Sequence, residues 1–168
     1  MPDLVRAAAI DETPRKSELP RAYALRLAQE KARIVAEKNH AMLVLAADTV
    51  VALGRRIFPK AENGDQVRHC LELLSGRQHQ VLTALAVAPP GASIRTRIVC
   101  TRVAFRRLTD AEISTYADSR EGEGKAGGYA IQGRAEIFVR RLNGSYSNVV
   151  GLPLAETATL LRGLGYAC

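Results

Sequence analysis

The stretch AMLVLAADTVVAL at residues 41–53 constrains the fold more than any other part of the chain. Its residues are apolar on both alternating faces, which is typical of a strand buried inside an α/β domain. Asp48 interrupts this run, and an uncompensated carboxylate is costly inside a protein. Asp48 either caps the turn after the strand or serves a ligand, since functional groups in α/β sheets gather at the carboxyl ends of strands.

Helix-like and strand-like patterns alternate along the rest of the chain. They predict an α/β fold in one domain covering residues 1–168, with an elongated mixed β-sheet flanked by helices. An Asn-Gly pair at 143–144 predicts a turn between two short strand-like pieces. The other predicted elements, in chain order, are a helix at 21–39, the strand at 41–53, a helix at 63–76, strands at 78–91 and 94–105, and helices at 109–119 and 153–165.

The charge balance indicates an anionic partner. The chain has 24 Lys and Arg against 17 Asp and Glu, for a net charge of +7. The basic residues are dispersed and only 5% of residues are aromatic, which disfavours a stable nucleic-acid partner because single-strand binders stack bases on aromatic rings. Small phosphorylated metabolites fit better. No apolar run is long enough to cross a membrane and no signal-like segment opens the chain, so we expect a cytoplasmic protein.

Lys31 violates the pattern of its own helix. It lies at the centre of an apolar stripe, between Leu27 and Ala28 on one side and Ile34 and Val35 on the other. One interpretation is a lysine that buries its stem and extends its ammonium to water. The other is an inward-facing cation that meets an anion, either the strand aspartate or a phosphate.

Further candidates lie in loops. Asp11 and Glu12 supply two adjacent carboxylates, which either form a solvated loop or provide the hard oxygen ligands that Mg²⁺ and Mn²⁺ prefer. Lys60 and Lys125 sit among loop-forming residues, and the glycines around Lys125 leave the backbone free to approach a ligand. Gln132 carries a donor and an acceptor suited to a planar group such as a nucleobase.

Together these residues suit metal-assisted attack on a phosphate. In such a site a metal bridges phosphate oxygens, lysines neutralise the charge that develops in the transition state, and a carboxylate takes a proton from water. The residue types alone leave that chemistry as one hypothesis. A basic nucleic-acid-binding module remains a weaker one.

Four ordered segments make the hypothesis more specific. They are DETPRKSELPRAYALRLAQEKA, LAADTVV, LSGRQHQVLTALAV and GKAGGYAIQG followed by GSYSNVVGLPLAET. In this order and spacing they resemble the Maf family of nucleoside triphosphate pyrophosphatases, which are also described as septum-formation inhibitors. The resemblance covers residues 2–166. It leaves a non-catalytic regulator of septum formation as the alternative function.

The resemblance implies an inosine-triphosphate-pyrophosphatase-like fold and cleavage between the α and β phosphates, which gives a nucleoside monophosphate and pyrophosphate. The YAIQG segment is similar to the branch acting on dTTP and UTP, with modified pyrimidine nucleotides as further substrates in a housecleaning role. A divalent metal and a possible homodimer are also implied. The implied roles are Asp48 as the proton acceptor, Glu12 and Asp48 as metal ligands, Lys31, Lys60 and Lys125 as phosphate contacts, and Thr49 and Gln132 as determinants of base choice.

Two departures from the family pattern stand out. Ala61 follows Lys60 where the family usually has proline, a small change that keeps the lysine. Family members also open with a strand and a Ser-Pro-Arg-Arg loop, so the resemblance implies that this sequence is N-terminally truncated or that its start is assigned too far along. If the shorter chain is the true product, we expect poor stability and little activity, because a sheet strand and an arginine clamp would be missing.

Overall fold

A computed structural model describes residues 4–166, so both ends of the predicted domain range lie outside the described residues. These residues form five strands and five α-helices, with helices interspersed among the strands. Among the described residues, no helix combines the length and the apolar character needed to cross a membrane. The elements are α1 (Pro20–Glu37), β1 (Val44–Leu53), β2 (Arg56–Phe58), α2 (Gly64–Leu74), β3 (Gln78–Ala88), β4 (Arg95–Phe105), α3 (Asp110–Asp118), a 3₁₀ helix (Arg134–Phe138), β5 (Val139–Asn143), α4 (Tyr146–Val150) and α5 (Leu154–Arg162).

The strands form one sheet in the order β2-β1-β3-β4-β5. The predicted α/β fold with helices flanking a sheet is confirmed. We expected a mixed sheet, with both parallel and antiparallel neighbours. Instead, every pair of neighbouring strands is antiparallel. Antiparallel neighbours need only short connections, and tight links join β1 to β2 and β3 to β4. The parallel contact among the described residues is an isolated bridge between Ala61 and Glu123.

The prediction of a strand on each side of the Asn-Gly turn is half right. β5 precedes the turn, but residues 146–150 form helix α4. The Ser145 side chain accepts a hydrogen bond from the backbone N–H of Asn148, which is the arrangement that starts a helix. This local cap outweighs the β-propensity of Val149 and Val150.

The sheet separates two hydrophobic clusters that differ in side-chain size. The alanine cluster lies between α1 and one face of the sheet, and the aromatic cluster lies between the opposite face, α2, α3 and the 3₁₀ helix. The alanine cluster includes Ala24, Leu27, Ala28, Ala32, Val50, Ala84, Ala86 and Ala88. The aromatic cluster includes Val51, Phe58, Val67, Leu71, Leu74, Val103, Phe105, Tyr116, Tyr129 and Phe138.

Helix α1 brings its charged residue to the sheet because its buried face is made of small side chains. The helix starts at Pro20, whose fixed backbone angle suits the first helical position. Ala24, Ala28 and Ala32 are fully buried along its inner face, and the small side chains let the helix axis approach the strands closely. Lys31 on the same helix can therefore reach β1.

Candidate active site

A cleft of about 360 Å³ opens beside the outer edge of β1, where β2 no longer covers that strand. β2 pairs only with Val51–Leu53, so the edge before Val51 faces the cleft. Both charged and apolar side chains contribute to the walls. The lining residues are Glu12, Thr13, Pro14, Tyr23, Leu27, Asp48, Thr49, Val50, Phe58, Pro59, Lys60, Glu62 and Ala126.

Asp48 is the buried carboxylate of this cleft, with 8% of its side chain exposed. Its neighbour in space is the ammonium of Lys31, which donates a hydrogen bond to Oδ1. The cation that the sequence required for Asp48 is therefore present. Burial raises the pKa of Asp48 above its ordinary value, and the lysine opposes this shift without cancelling it.

Lys31 bridges two carboxylates. Besides its bond to Asp48, its Nζ lies 2.7 Å from Oε1 of Glu12. Burial alone would lower the pKa of Lys31, but the hydrogen bonds with the two carboxylates outweigh burial and raise it. Asp48 is the more deeply buried partner, so desolvation dominates at the carboxyl group while ion pairing dominates at the ammonium. The interpretation of Lys31 as an inward-facing cation is confirmed.

Glu12 reaches the cleft from a segment without regular secondary structure. The Tyr23 hydroxyl on α1 donates a hydrogen bond of 2.5 Å to the backbone carbonyl of Glu12 and fixes this segment against the helix. The second carboxylate oxygen of Glu12 lies 2.6 Å from Nζ of Lys60. Burial raises the pKa of Glu12, but the bonds to Lys31 and Lys60 outweigh it, so the net shift is downward.

Backbone hydrogen bonds join the glycine-rich loop around Lys125 to the segment that carries Lys60. The N–H of Ala61 donates to the carbonyl of Lys125 at 3.1 Å, and the N–H of Gly124 donates to the carbonyl of Ala61 at 2.7 Å. Gly127 has a φ of +72°, and a Cβ there would lie 2.8 Å from Val51. Only glycine therefore lets the loop pack directly on β1.

Lys125 and Gln132 are not drawn into the cleft as closely as the other predicted residues. The Lys125 backbone lies beside Lys60 through these hydrogen bonds, but its side chain is exposed and does not line the cleft. Gln132 is exposed in the turn that follows the loop and does not line the cleft either. Their predicted roles in phosphate contact and base choice stay predictions.

Thr49 lines the cleft but points to the other face of the sheet from Asp48. Successive side chains of a strand alternate, so Asp48 meets α1 while the Thr49 hydroxyl lies 2.8 Å from the hydroxyl of Thr83 on β3. The cleft therefore combines a charged part on the α1 side with a neutral hydroxyl on the opposite side.

Two carboxylates of the cleft could serve a divalent cation. Glu12 and Asp48 converge on the same ammonium, whereas among residues 4–166 no group of three or more His, Cys, Asp or Glu side chains is close enough to hold a metal by itself. Mg²⁺ is commonly held by one or two carboxylates together with substrate phosphates and water. This donor set fits a cation bound jointly with a phosphorylated substrate.

Several cleft residues escaped the sequence analysis. Tyr23 lies on the apolar face of α1, where it reads as an ordinary core residue, and nothing in the sequence indicates its bond to Glu12. Glu62 lines the cleft from the loop before α2. The sequence feature that could have indicated it is its position two residues after Lys60. Thr83 does not line the cleft but hydrogen-bonds to Thr49, and in the sequence it reads as one more β-branched strand residue.

The fold and the site define an α/β protein whose cleft joins paired carboxylates to lysines beside an antiparallel sheet. The chain belongs to the Maf family, since the family described as Maf-like protein matches residues 2–164. This finding confirms the resemblance drawn from the four sequence segments.

Curated relatives support the same assignment. A dTTP/UTP pyrophosphatase of Caulobacter vibrioides is 58% identical over 165 residues, which covers 98% of this chain and 86% of that protein. Proteins with the same name from Paramagnetospirillum magneticum and Rhodospirillum rubrum are 56% and 55% identical. These alignments cover 99% of this chain and 88% and 79% of the two relatives.

Proposed function

We propose that this protein is a nucleoside triphosphate pyrophosphatase that hydrolyses dTTP and UTP to the nucleoside monophosphate and pyrophosphate. The observation that carries the proposal is the convergence of Glu12, Lys31, Asp48 and Lys60 on one cleft. Relatives named dTTP/UTP pyrophosphatase, more than half identical over nearly the whole chain, supply the substrate class. These substrates are intracellular nucleotides, so we place the reaction in the cytoplasm.

Asp48 acts as the general base. Its burial raises the pKa of the carboxyl group, which makes it a better proton acceptor than an exposed aspartate. The oxygen of a water molecule forms a bond to the α-phosphorus, and the bond from that phosphorus to the α–β bridging oxygen breaks. Pyrophosphate leaves with the electron pair, and Asp48 takes the proton of the water.

The lysines bind the triphosphate and stabilise the charge of the leaving group. Lys31 and Lys60 are held near the reaction centre by Glu12, so their ammonium groups are already placed when the anionic substrate arrives. Lys125 adds a third cation from the glycine-rich loop, whose backbone is bound to Ala61. Preorganised cations of this kind need little rearrangement during the reaction.

Glu12 and Asp48 would hold a Mg²⁺ or Mn²⁺ ion together with the substrate phosphates. When bound, such an ion neutralises charge on the phosphate oxygens. Thr49 and Gln132 contribute to the choice of base. Modified pyrimidine nucleotides extend the substrate range, which suits a role in keeping them out of nucleic acids.

Pyrophosphate release from a nucleotide panel tests the proposal. The panel contains dTTP, UTP, CTP and 7-methyl-GTP, with Mg²⁺, with Mn²⁺ and with a chelator. We expect turnover of dTTP and UTP that depends on the metal. Asp48→Asn should reduce kcat by about 10²–10⁴-fold, the usual contribution of a positioned base.

Asp118→Asn is the matched control. Asp118 pairs with Arg68 on the surface, and 70% of its side chain is exposed, so its loss should leave turnover unchanged. Retained turnover in folded Asp48→Asn would remove Asp48 as the base. Absence of turnover with every nucleotide, in a folded wild-type protein, would overturn the proposed activity as a whole.

A further inference from the structure

The hydroxyl of Thr49 occupies a different part of the cleft from the charged groups. Asp48 and Glu12 meet Lys31 on the α1 side, whereas Thr49 points toward β3 and α4. A nucleoside triphosphate that places its phosphates on the charged side leaves its neutral part for the opposite side. The neutral groups that can hydrogen-bond there belong to the base and the sugar.

The direction of the hydrogen bond between Thr49 and Thr83 is fixed by a third group. The Thr83 hydroxyl lies 2.9 Å from the backbone carbonyl of Asn148, and a carbonyl can only accept. A hydroxyl has one proton, so Thr83 donates it to Asn148. Thr83 must then accept from Thr49, whose oxygen lies 2.8 Å away.

Asn148 is held firmly enough to keep this polarity. Its side chain is fully buried, and its Nδ2 donates at 3.0 Å both to the carbonyl of Val81 and to the hydroxyl of Thr101. Its backbone N–H is capped by Ser145. The carbonyl that accepts from Thr83 is therefore anchored to two strands and to the start of α4.

We propose that Thr83, which does not itself line the cleft, is a positioning residue that sets the pyrimidine specificity of Thr49. Since Thr49 gives its only proton to Thr83, its oxygen offers the cleft lone pairs alone. Uracil and thymine carry a hydrogen on N3 and can donate to these lone pairs. Cytosine presents an acceptor at N3, so lone pair would face lone pair. The inference rests on the proposed function and adds the reason why UTP and dTTP are preferred to CTP.

Thr83→Val tests the proposal because valine keeps the shape of threonine and removes the hydroxyl. The Asn148 carbonyl keeps its bond from the N–H of Gly151 at 3.1 Å, so the substitution does not leave it without a donor. Freed from Thr83, the Thr49 hydroxyl can turn its proton toward the cleft and donate to cytosine N3. We expect the ratio of kcat/KM for UTP over CTP to fall by about tenfold or more, with the larger change in CTP.

Two variants separate polarity from structural damage. Thr83→Ser restores the hydroxyl and should restore the ratio. Thr157→Val removes another buried threonine hydroxyl, which donates at 2.8 Å to the carbonyl of Pro153 at the start of α5. Because it leaves the Thr83–Thr49 bond intact, it should lower stability without changing the UTP-to-CTP ratio.

The outcomes distinguish the two proposals. If the wild-type protein hydrolyses UTP and dTTP but folded Thr83→Val keeps the wild-type ratio, the polarity inference fails while the proposed function stands. If the wild-type protein hydrolyses neither nucleotide, the proposed function fails. Should Thr83→Val not fold, Thr49→Val provides the second measurement. It should lower kcat/KM for UTP more than for CTP, and an unchanged ratio would overturn the inference.

Discussion

The two faces of the sheet are covered by side chains of different size, and we infer different roles for them. On one face, the alanine cluster brings α1 close to β1 and β3, and Lys31 reaches Asp48 across this narrow gap. On the other face, the aromatic cluster contains larger side chains, with rings of Phe105, Tyr116 and Phe138 in edge-to-face contact. The charged groups proposed to act in catalysis lie on the α1 side, and the larger apolar side chains lie on the other.

Because of this difference, substitutions on the two faces should affect different properties of the protein. Small side chains contribute little burial free energy each, but they set the distance between a helix and a sheet. Large side chains contribute most of the stability and tolerate truncation poorly. We therefore expect changes in the aromatic cluster to affect mainly stability, and changes in the alanine cluster to affect activity in folded molecules as well.

Paired leucine truncations give the largest expected effect. Leu71 on α2 and Leu27 on α1 are both buried, and each change to alanine should lower the free energy of unfolding by about 2–5 kcal/mol. Leu27 also lines the cleft and lies one helical turn before Lys31. Activity per folded molecule should fall in Leu27→Ala and stay near wild type in Leu71→Ala, as measured by denaturant unfolding and pyrophosphate release.

Equal loss of activity in the two folded variants would contradict the separation of roles. The comparison needs a temperature at which both variants are folded, checked by circular dichroism. A Leu27→Met change offers a milder control, because methionine conserves most of the side-chain volume. It should retain activity if the packing under Lys31, rather than leucine itself, is what matters.

The aromatic cluster also carries a pH-dependent contribution to stability. His79 is fully buried between Phe105 and Tyr129, and burial lowers its pKa from 6.5 to about 4. In the unfolded chain the imidazole binds a proton near pH 6.5, whereas the folded protein resists protonation until about pH 4. The unfolded state thus binds more protons in this window, so stability falls as the pH is lowered from 6.5 to 4.

The size of this loss of stability follows from the shift in the pKa of His79. At 1.36 kcal/mol per pKa unit the upper bound is roughly 3 kcal/mol, reached only near pH 4. Denaturant unfolding at several pH values between 7 and 4.5 should show a slope that His79→Gln reduces. His69→Gln, at an exposed position of α2, is the control and should leave the slope unchanged. An unaltered slope in His79→Gln would mean that other groups cause the acid sensitivity.

Overpacking the alanine cluster should have a smaller effect on stability than the leucine truncations, but a clear effect on activity. Ala28 is fully buried in the alanine cluster, so Ala28→Leu must move α1 away from the strands. Such changes typically cost about 1–3 kcal/mol. Because Lys31 lies on the same helix, pyrophosphate release should fall in the folded variant. Gln29→Leu adds an equally long apolar side chain at the neighbouring exposed position and should leave both properties unchanged. Wild-type activity in Ala28→Leu would show that Lys31 does not depend on the helix-to-sheet distance.

The charged part of the site could be predicted from the sequence because its residues break their own local patterns. Asp48 stands in an apolar strand and Lys31 in an apolar helical stripe. Each requires a partner of opposite charge, and the structure pairs them. The roles of Lys125 and Gln132 depend on where loop side chains point, which no local pattern encodes.

The neutral part of the site could not be predicted in the same way. Thr83 fits a strand without conflict, and its contact with Asn148 exists only because residues 146–150 form a helix. The local sequence pattern predicts a strand-like piece here instead. The hairpin of β3 and β4 was predictable because its signals are local, namely alternation and a Pro-Pro-Gly turn. The antiparallel pairing throughout the sheet depends on contacts between distant segments, which the local patterns do not specify.

Helix α3 gives the smallest and most selective test of the comparison. Thr109 and Glu112, whose spacing in the sequence indicates a capping box, form it in both directions. Thr109→Ala should lower the free energy of unfolding by about 1 kcal/mol, because the backbone N–H of Glu112 loses its acceptor. Thr109→Ser should restore most of this stability. Since the buried residues of α3, Ile113, Tyr116 and Ala117, belong to the aromatic cluster, pyrophosphate release should remain at the wild-type level. A loss of activity without a matching loss of stability would show that the aromatic cluster also shapes the cleft, through the bond from the N–H of Ala130 to the Tyr116 hydroxyl.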